Sequence, residues 1–462
     1  MKKVRSKRNW PVVLAVTLGL AGCAVGPKFR SPEVTVPSAY IYDSVGTRGD
    51  TVVNLAWWRS FGDPTLTDLI EQALDSNRNL AVAASRIEQA RLQLKMARTG
   101  FGPEFDLGRN TGASYEGANG EVIQKYEIQA TVAWEIDLFG KLRHTAESAQ
   151  AQMLATEQNY RSLMLSLAAE VATTYFNLLQ YDMSLRIAQE TYELRKASQD
   201  IIDSLVYYGM SSSVDLEQAR SLTATAAAAI PQYERAKVQA ETALCALLGR
   251  NPRFFDVDGT RLFTSVLVPA EVPVGLPASL LDRRPDIREA YYRVAAATAH
   301  VGVAVANRYP SVTLTGDGGL FSSTLKGLVH GNPFGWSAAL SIAQPLFAWG
   351  KNKRAEEIAR EENKQAILNY EQTVIAALGE VESALAGIAT YHTQVNRYRE
   401  LLQATRTTQM LTQELYRNGS NTYLDVLDAE RELFSTQIGF SEVLAAQLAE
   451  YVSLYKALGG GW

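Results

Sequence analysis

The sequence predicts a mainly α-helical protein with a small β-sheet portion, written as two tandem structural repeats. Three observations carry this. Residues 141–207 contain neither glycine nor proline, and 351–417 contain no proline and only Gly379 and Gly387. Residues 126–138 and 334–342 alternate apolar with polar or small side chains, the period of a strand with two unlike faces. Several residues recur in register: Asp75, Arg86 and Pro103 return 207 positions later as Asp282, Arg293 and Pro310. Gly140-Lys141, Gly209, Asp215, Ala219 and Leu248-Gly249 return 210 positions later as Gly350-Lys351, Gly419, Asp425, Ala429 and Leu458-Gly459.

The elements follow in chain order. Lys2, Lys3, Arg5, Lys7 and Arg8 precede a short apolar stretch that ends in Leu20-Ala21-Gly22-Cys23. This reads as a signal segment over 1–22. Small residues before a cysteine resemble a bacterial lipoprotein processing site, which would make Cys23 the lipid attachment point; the alternative is an ordinary signal peptide that ends near a cysteine. Removing the five basic residues takes the formal charge from −4 to −9. Residues 23–62 read as an extended N-terminal segment. The first repeat spans 63–250. It opens on Asp63-Pro64, an N-cap with proline at the first helical position, and its helical pattern runs to about Arg98. Two strands follow within about 104–139, then a long helix over 141–207, a tip and a return helix. Residues 251–277 carry four prolines and read as a linker. The second repeat, 278–459, has two strands within about 311–347, a long helix over 351–417, a tip and a return helix.

Each long helix reaches about 100 Å at 1.5 Å per residue, far beyond an ordinary globular helix, and implies coiled-coil-like packing. In the strands, Tyr126, Ile128, Val132, Trp134 and Ile136 oppose Glu127, Gln129, Thr131 and Glu135, with aromatics (Tyr115, Tyr126, Trp134, Phe334, Trp336) near the ends. Such segments fit a soluble sheet on helices or a transmembrane barrel. Four strands cannot close a membrane barrel, and an open edge in lipid leaves unpaired backbone groups, so a membrane reading requires several chains to share one barrel.

Composition narrows the function classes. A net acidic chain argues against a dominant phosphate-binding surface. The four histidines (His144, His300, His330, His392) are scattered, and no nucleotide-binding G-x-x-x-x-G-K-[ST] occurs. Two cysteines build no disulfide framework, and Cys245 reads as a small buried hydrophobe. No uninterrupted apolar run of about 20 residues follows the N-terminus, which excludes only helical spanning. Ser323-x-x-Lys326 is a hydrolase-like spacing common by chance and without partner motifs, so no enzyme and no cofactor are expected. A lipid-anchored periplasmic coiled-coil adaptor without a pore is the other reading; it predicts no apolar strand face.

Glycine ends each long helix, at Gly209 and Gly419, and Ser213 and Thr422 are the expected caps of the return helices. The second tip, Tyr416-x-x-Gly419-x-x-x-x-Leu424-Asp425-Val426-Leu427-Asp428-Ala429, resembles the periplasmic tip of TolC-like outer-membrane efflux channels. Cys23-Ala24-Val25-Gly26-Pro27, Trp57-Trp58-x-x-Phe61-x-Asp63, Gly275-Leu276-Pro277 and Arg283-Arg284-Pro285-Asp286-Ile287 resemble its NodT/OprM-like lipoprotein branch. Lys28 and Tyr291-Tyr292 depart from that pattern, which concerns local packing. The resemblance implies a homotrimer whose strands form one 12-stranded outer-membrane barrel, continued by a long periplasmic α-helical barrel. It implies a passive exit duct fed by an inner-membrane RND-type pump through a periplasmic adaptor. Asp425 and Asp428 match its acidic constriction, and Asp215 and Tyr416 match polar contacts that hold it shut. Adaptor docking falls on the tips, Gly209, Met210 and Ser211 with Gly419, Ser420 and Asn421. Read without the resemblance, Asp425 and Asp428 are equally acidic residues favoured at a helix N-terminus.

Overall fold

The computed structural model describes residues 24–42, 56–116, 121–264, 277–331 and 333–460. The signal segment, Cys23 and linker residues 265–276 lie outside the described residues. Trp57–Phe61 form a 3-10 turn, followed by α1 (Pro64–Ser76), α2 (Arg78–Thr99), β1 (Glu104–Glu116), β2 (Glu121–Ile136), α3 (Lys141–Tyr207) and α4 (Ser213–Leu247). After short α5 (Arg261–Thr264) and α6 (Leu280–Arg283) come α7 (Pro285–Ala306), β3 (Ser311–Ser322), β4 (Phe334–Ala343), α8 (Lys351–Arg417) and α9 (Tyr423–Ala457). Helices α3 and α8 each have 67 residues, and α4 and α9 each have 35.

The chain divides into two compact units, each drawing on both halves of the sequence. The first comprises 1–33, 85–158 and 289–372 and holds the sheet. The sheet is antiparallel in the order β1-β2-β3-β4. Its cross-strand pairs sort the side chains cleanly. Leu107, Ala130, Gly318 and Trp336 share one row, and Trp134, Leu314 and Leu340 another. The opposite face carries Asp106, Glu127, Gln129, Thr131, Asp317 and Ser337. There the Thr131 and Ser337 hydroxyls donate to the two Asp317 oxygens at 2.9 and 3.3 Å. The apolar face is left bare: Leu107, Phe334, Trp336 and Leu340 are all well exposed. β2 stops at Ile136 because Asp137 caps α3, accepting from the backbone N–H of Leu142 and Arg143 at 3.1 and 3.0 Å.

The N-terminal segment is seated in this same unit. Val25 N–H donates to Phe139 (3.1 Å), and the His144 ring Nε2 donates to the Val25 carbonyl (3.0 Å). Gly302 faces the buried His144 ring so closely that a Cβ there would lie 2.6 Å from it. Phe29 packs edge-on against Tyr291, one of the two tyrosines that depart from the resembled pattern.

The second unit comprises 34–84, 159–288 and 373–462. Trp57, Phe61, Tyr175 and Phe176 fill its core, and Tyr455 stacks on Trp57. Asp63 is buried among them. Its carboxylate caps α1 through Thr65 N–H (2.8 Å), accepts the Tyr175 hydroxyl (2.9 Å) and pairs with Arg261 (2.9 Å). The Trp57–Asp63 motif is therefore a packing and capping device. Arg284 is likewise buried, bonding Asp286, Glu380 and the Ala457 carbonyl. Cys245 is buried and free.

The first helical pattern does not run unbroken to Arg98. Asn77 divides it, accepting from Leu80 N–H (3.0 Å) as a cap while its side-chain amide donates to the Leu247 carbonyl (2.8 Å). A short polar side chain that can bond the backbone on both sides favours such a break. By average composition, α3 and α8 each contain an 18-residue stretch hydrophobic enough to span a membrane, but polar residues interrupt both helices, and 56% and 33% of the two stretches is buried against the chain itself.

Candidate functional site: the helix tips

The sequence-predicted tip residues all fall in the second unit. α3 ends at Gly209, whose φ of 71° is the left-handed conformation glycine adopts without strain, and Met210 N–H returns to the Leu205 carbonyl at 2.7 Å. α8 ends identically at Gly419 (φ 70°), with Ser420 N–H returning to Leu415 at 2.9 Å. Each return helix opens on a capping box. Ser212, rather than Ser213, caps α4: its hydroxyl accepts from Asp215 N–H at 3.1 Å, and its own N–H donates to Asp215 Oδ2 at 3.1 Å. Ser213 is already the first helical residue, so Asp215 stands at the third position, which the box requires. Thr422 caps α9 through the same exchange with Asp425 (3.4 and 3.1 Å).

The two tips pack side by side on one apolar cluster. It joins Ile202 of α3, Leu216, Ala219 and Leu222 of α4, and Tyr423, Val426 and Leu427 of α9, with Tyr416 of α8 packed against it. The rings of Tyr416 and Tyr423 lie 5.4 Å apart. Burial raises the Tyr416 phenol above its ordinary value, and the nearby negative charge of Asp215 adds to the rise. Burial opposes ionisation of Asp215, but hydrogen bonds from Ser212 and from the Ser211 hydroxyl (2.9 Å) outweigh it and hold the carboxyl below the usual range.

Asp425 and Asp428 sit one turn apart on α9 but have different neighbours. Asp425 is engaged in its capping box. Asp428 is exposed and pairs with Arg431 at 2.8 Å. Sequence reasoning missed Arg431, although its i+3 spacing from Asp428 is a helix-face signal. It also missed Arg195. This arginine of α3 is buried, donates to the Leu222 carbonyl of α4 (2.9 Å) and the Glu430 carbonyl of α9 (3.2 Å), and lies over the Phe434 ring. A lone cation inside an otherwise small and apolar helix face was the available signal. At the turns, Met210 is exposed, flanked by exposed Tyr207, Tyr208 and Val214, with Leu424 exposed beside the second turn. Among the described residues no cluster of three or more metal-ligating side chains forms.

The profile of the family described as outer membrane efflux protein matches residues 69–250 and 276–460, most of the chain. The chain belongs to the outer membrane efflux protein family. The solvent efflux pump outer membrane protein SrpC of Pseudomonas putida is 34% identical to this efflux protein over 456 residues, covering 96% of this chain and 97% of its own. The cation efflux system protein CusC of Escherichia coli strain K12 is 31% identical over 451 residues, covering 96% and 98%. Among solved structures, the outer-membrane channel OprN superposes with a TM-score of 0.88 at 30% identity, covering 95% of this chain and all of that one. The open state of the Neisseria gonorrhoeae MtrE outer membrane channel superposes with a TM-score of 0.84 at 30% identity, covering 95% and 98%. This efflux protein is thus an outer-membrane transport channel with the TolC-like fold that its tip motif resembles.

Proposed function

We propose that three copies of the chain close their four-stranded sheets into one 12-stranded barrel, forming the exit duct of a tripartite efflux system. The single observation that carries this is the sheet itself. β1 and β4 are both edge strands, and one face is bare and apolar while the other is polar. Edges of that kind are tolerated in lipid only when another strand covers them. The apolar face also argues against the poreless adaptor reading.

The duct is passive and non-enzymatic: energy and cargo selection come from an inner-membrane RND-type pump, reached through a periplasmic adaptor. The adaptor docks on the turns around Gly209, Met210 and Ser211 and around Gly419, Ser420 and Asn421, where exposed Met210, Val214 and Leu424 supply apolar contact. Asp425 and Asp428 form the acidic constriction, which three copies bring around one axis, and Asp215 with Tyr416 braces it. An acidic ring of this kind admits cations and hinders anions. Cys23 carries the lipid.

The test is native mass measurement followed by planar-bilayer recording. The reading expects a trimer with low, cation-preferring conductance, and higher conductance with weaker divalent-ion block in D425A/D428A. A monomeric species without conductance defeats the duct; unchanged recordings in the double variant remove these carboxylates from the gate. For the lipid, Cys23→Ser abolishes palmitate labelling, and a wild-type chain that never takes up label defeats that assignment.

A further inference from the structure

The apolar face of the sheet carries one charged side chain among the described residues, Arg109 of β1. Its place is defined by the pairing. Arg109 lies opposite Ile128, Ile128 opposite Leu320, and Leu320 opposite Phe334, so these four form one row across all four strands. The next row toward the hairpins is polar, with Thr111 opposite Tyr126 and Tyr126 opposite Ser322. In the other direction the face stays apolar for eight residues of β2, to Ile136 opposite Val312. That is about 27 Å along a strand, and tilting the strand brings it close to the roughly 25 Å apolar band of an outer-membrane barrel. Arg109 therefore marks the boundary of the band, on the side of the hairpins and away from the ends that join α2, α3, α7 and α8. A charge in mid-band is costly, and the cost falls away at the interface. A long side chain rooted in the last apolar row lifts its guanidinium into the headgroup level.

Arg109 is exposed and has no ion-pair partner among the described residues. A neighbouring copy does not supply one on this face, because the described part of the face holds no carboxylate. The guanidinium needs an anion from the solvent that this face meets, and that solvent is lipid. The hairpin end of a barrel whose helices lie in the periplasm is the outer leaflet. We propose that Arg109 binds a phosphate of an outer-leaflet glycolipid of the lipid A class. Its planar fork takes two phosphate oxygens, with acyl chains lying along Leu107, Ala130 and Trp336. Because β1 is an edge strand, the shared barrel proposed above places one such site beside each of its seams. The inference rests on that reading.

Native mass spectrometry of the purified full-length protein, titrated with lipid A, tests both separately, since oligomer mass and bound lipid are read in one spectrum. Wild type retains lipid A; R109Q binds it about tenfold more weakly, equivalent to about 1.4 kcal/mol; R109K falls between, keeping the charge without the fork. Chemically dephosphorylated lipid A binds wild type no better than R109Q. Equal lipid A binding by wild type and R109Q at intact trimer mass overturns the site. So does tighter Arg109-dependent binding of phosphatidylglycerol, which reassigns it to another lipid. A monomer mass instead points to the shared barrel as the failure.

Discussion

Asp215 and Asp425 close the same capping box at the third position of α4 and α9, 210 residues apart in the chain. Each carboxylate accepts from the N–H of its cap residue while its own N–H donates back to the cap hydroxyl. The capping role of Asp425 is therefore compatible with the gate role proposed for it, since one side chain can serve both. Asp428, one turn on, is exposed and pairs with Arg431.

This division makes the two carboxylates separable by experiment. Asp425→Ala removes half of a capping box and lowers stability by about 1 kcal/mol. Asp428→Ala breaks an exposed helix pair worth only a few tenths of a kcal/mol. Both raise conductance if both line the constriction. Thermal melting alongside bilayer recording checks this: D425A melts lower than D428A. Equal melting of the two variants contradicts the capping assignment.

Arg431 tunes Asp428 from the side. Arg431→Gln leaves an exposed carboxylate without its cation, so in the proposed trimer the constriction gains net negative charge. Cation preference and divalent-ion block then increase, the opposite direction to D428A. Reversal potentials in a salt gradient measure this, and a shift toward anions counts against Asp428 facing the pore.

Asp215 gives the first tip a pH dependence of definite sign. Its folded carboxyl is held below the unfolded value, so its contribution is present above the unfolded pKa of about 3.9 and is lost as pH falls through the lower folded value. Amide hydrogen exchange at residues 212–216 should quicken below about pH 4 beyond the intrinsic pH effect. Asp215→Asn should show fast exchange at neutral pH and no such acid step. Identical profiles for the two proteins remove Asp215 as the clamp of this turn.

Much of this was legible in the sequence because the signals are local. The long helices contain no proline, the first has no glycine and the second only two, and β2 alternates with period two, so neither needs tertiary information. The break at Asn77 was not legible, since asparagine inside a helical pattern becomes a cap only when Leu247 offers its carbonyl. The cap was placed one residue late, at Ser213, because neighbouring serines look alike until the exchange with Asp215 selects Ser212. Arg195 showed in the sequence only as a lone cation on a small, apolar helix face, and what it holds did not show. Its partners are backbone carbonyls of two other helices, which leave no trace in side-chain pattern.

Arg195 yields the last prediction. A buried guanidinium holds α4 and α9 to α3 through two carbonyls, and its Nε has no hydrogen-bond partner. Charge-assisted bonds of this kind contribute more than neutral ones, so Arg195→Ala, which also leaves a hole beside Phe434, should cost about 3 kcal/mol. Arg195→Met refills the volume without the bonds and without the cost of burying a charge, and should recover most of that loss. Helical melting followed by circular dichroism orders the three proteins: wild type and R195M close together, R195A well below. If R195M melts as low as R195A, the two carbonyl bonds rather than packing dominate, and the tip depends on this cation for its helix-to-helix register. If R195A melts with the wild type, Arg195 is not a tie between the helices at all.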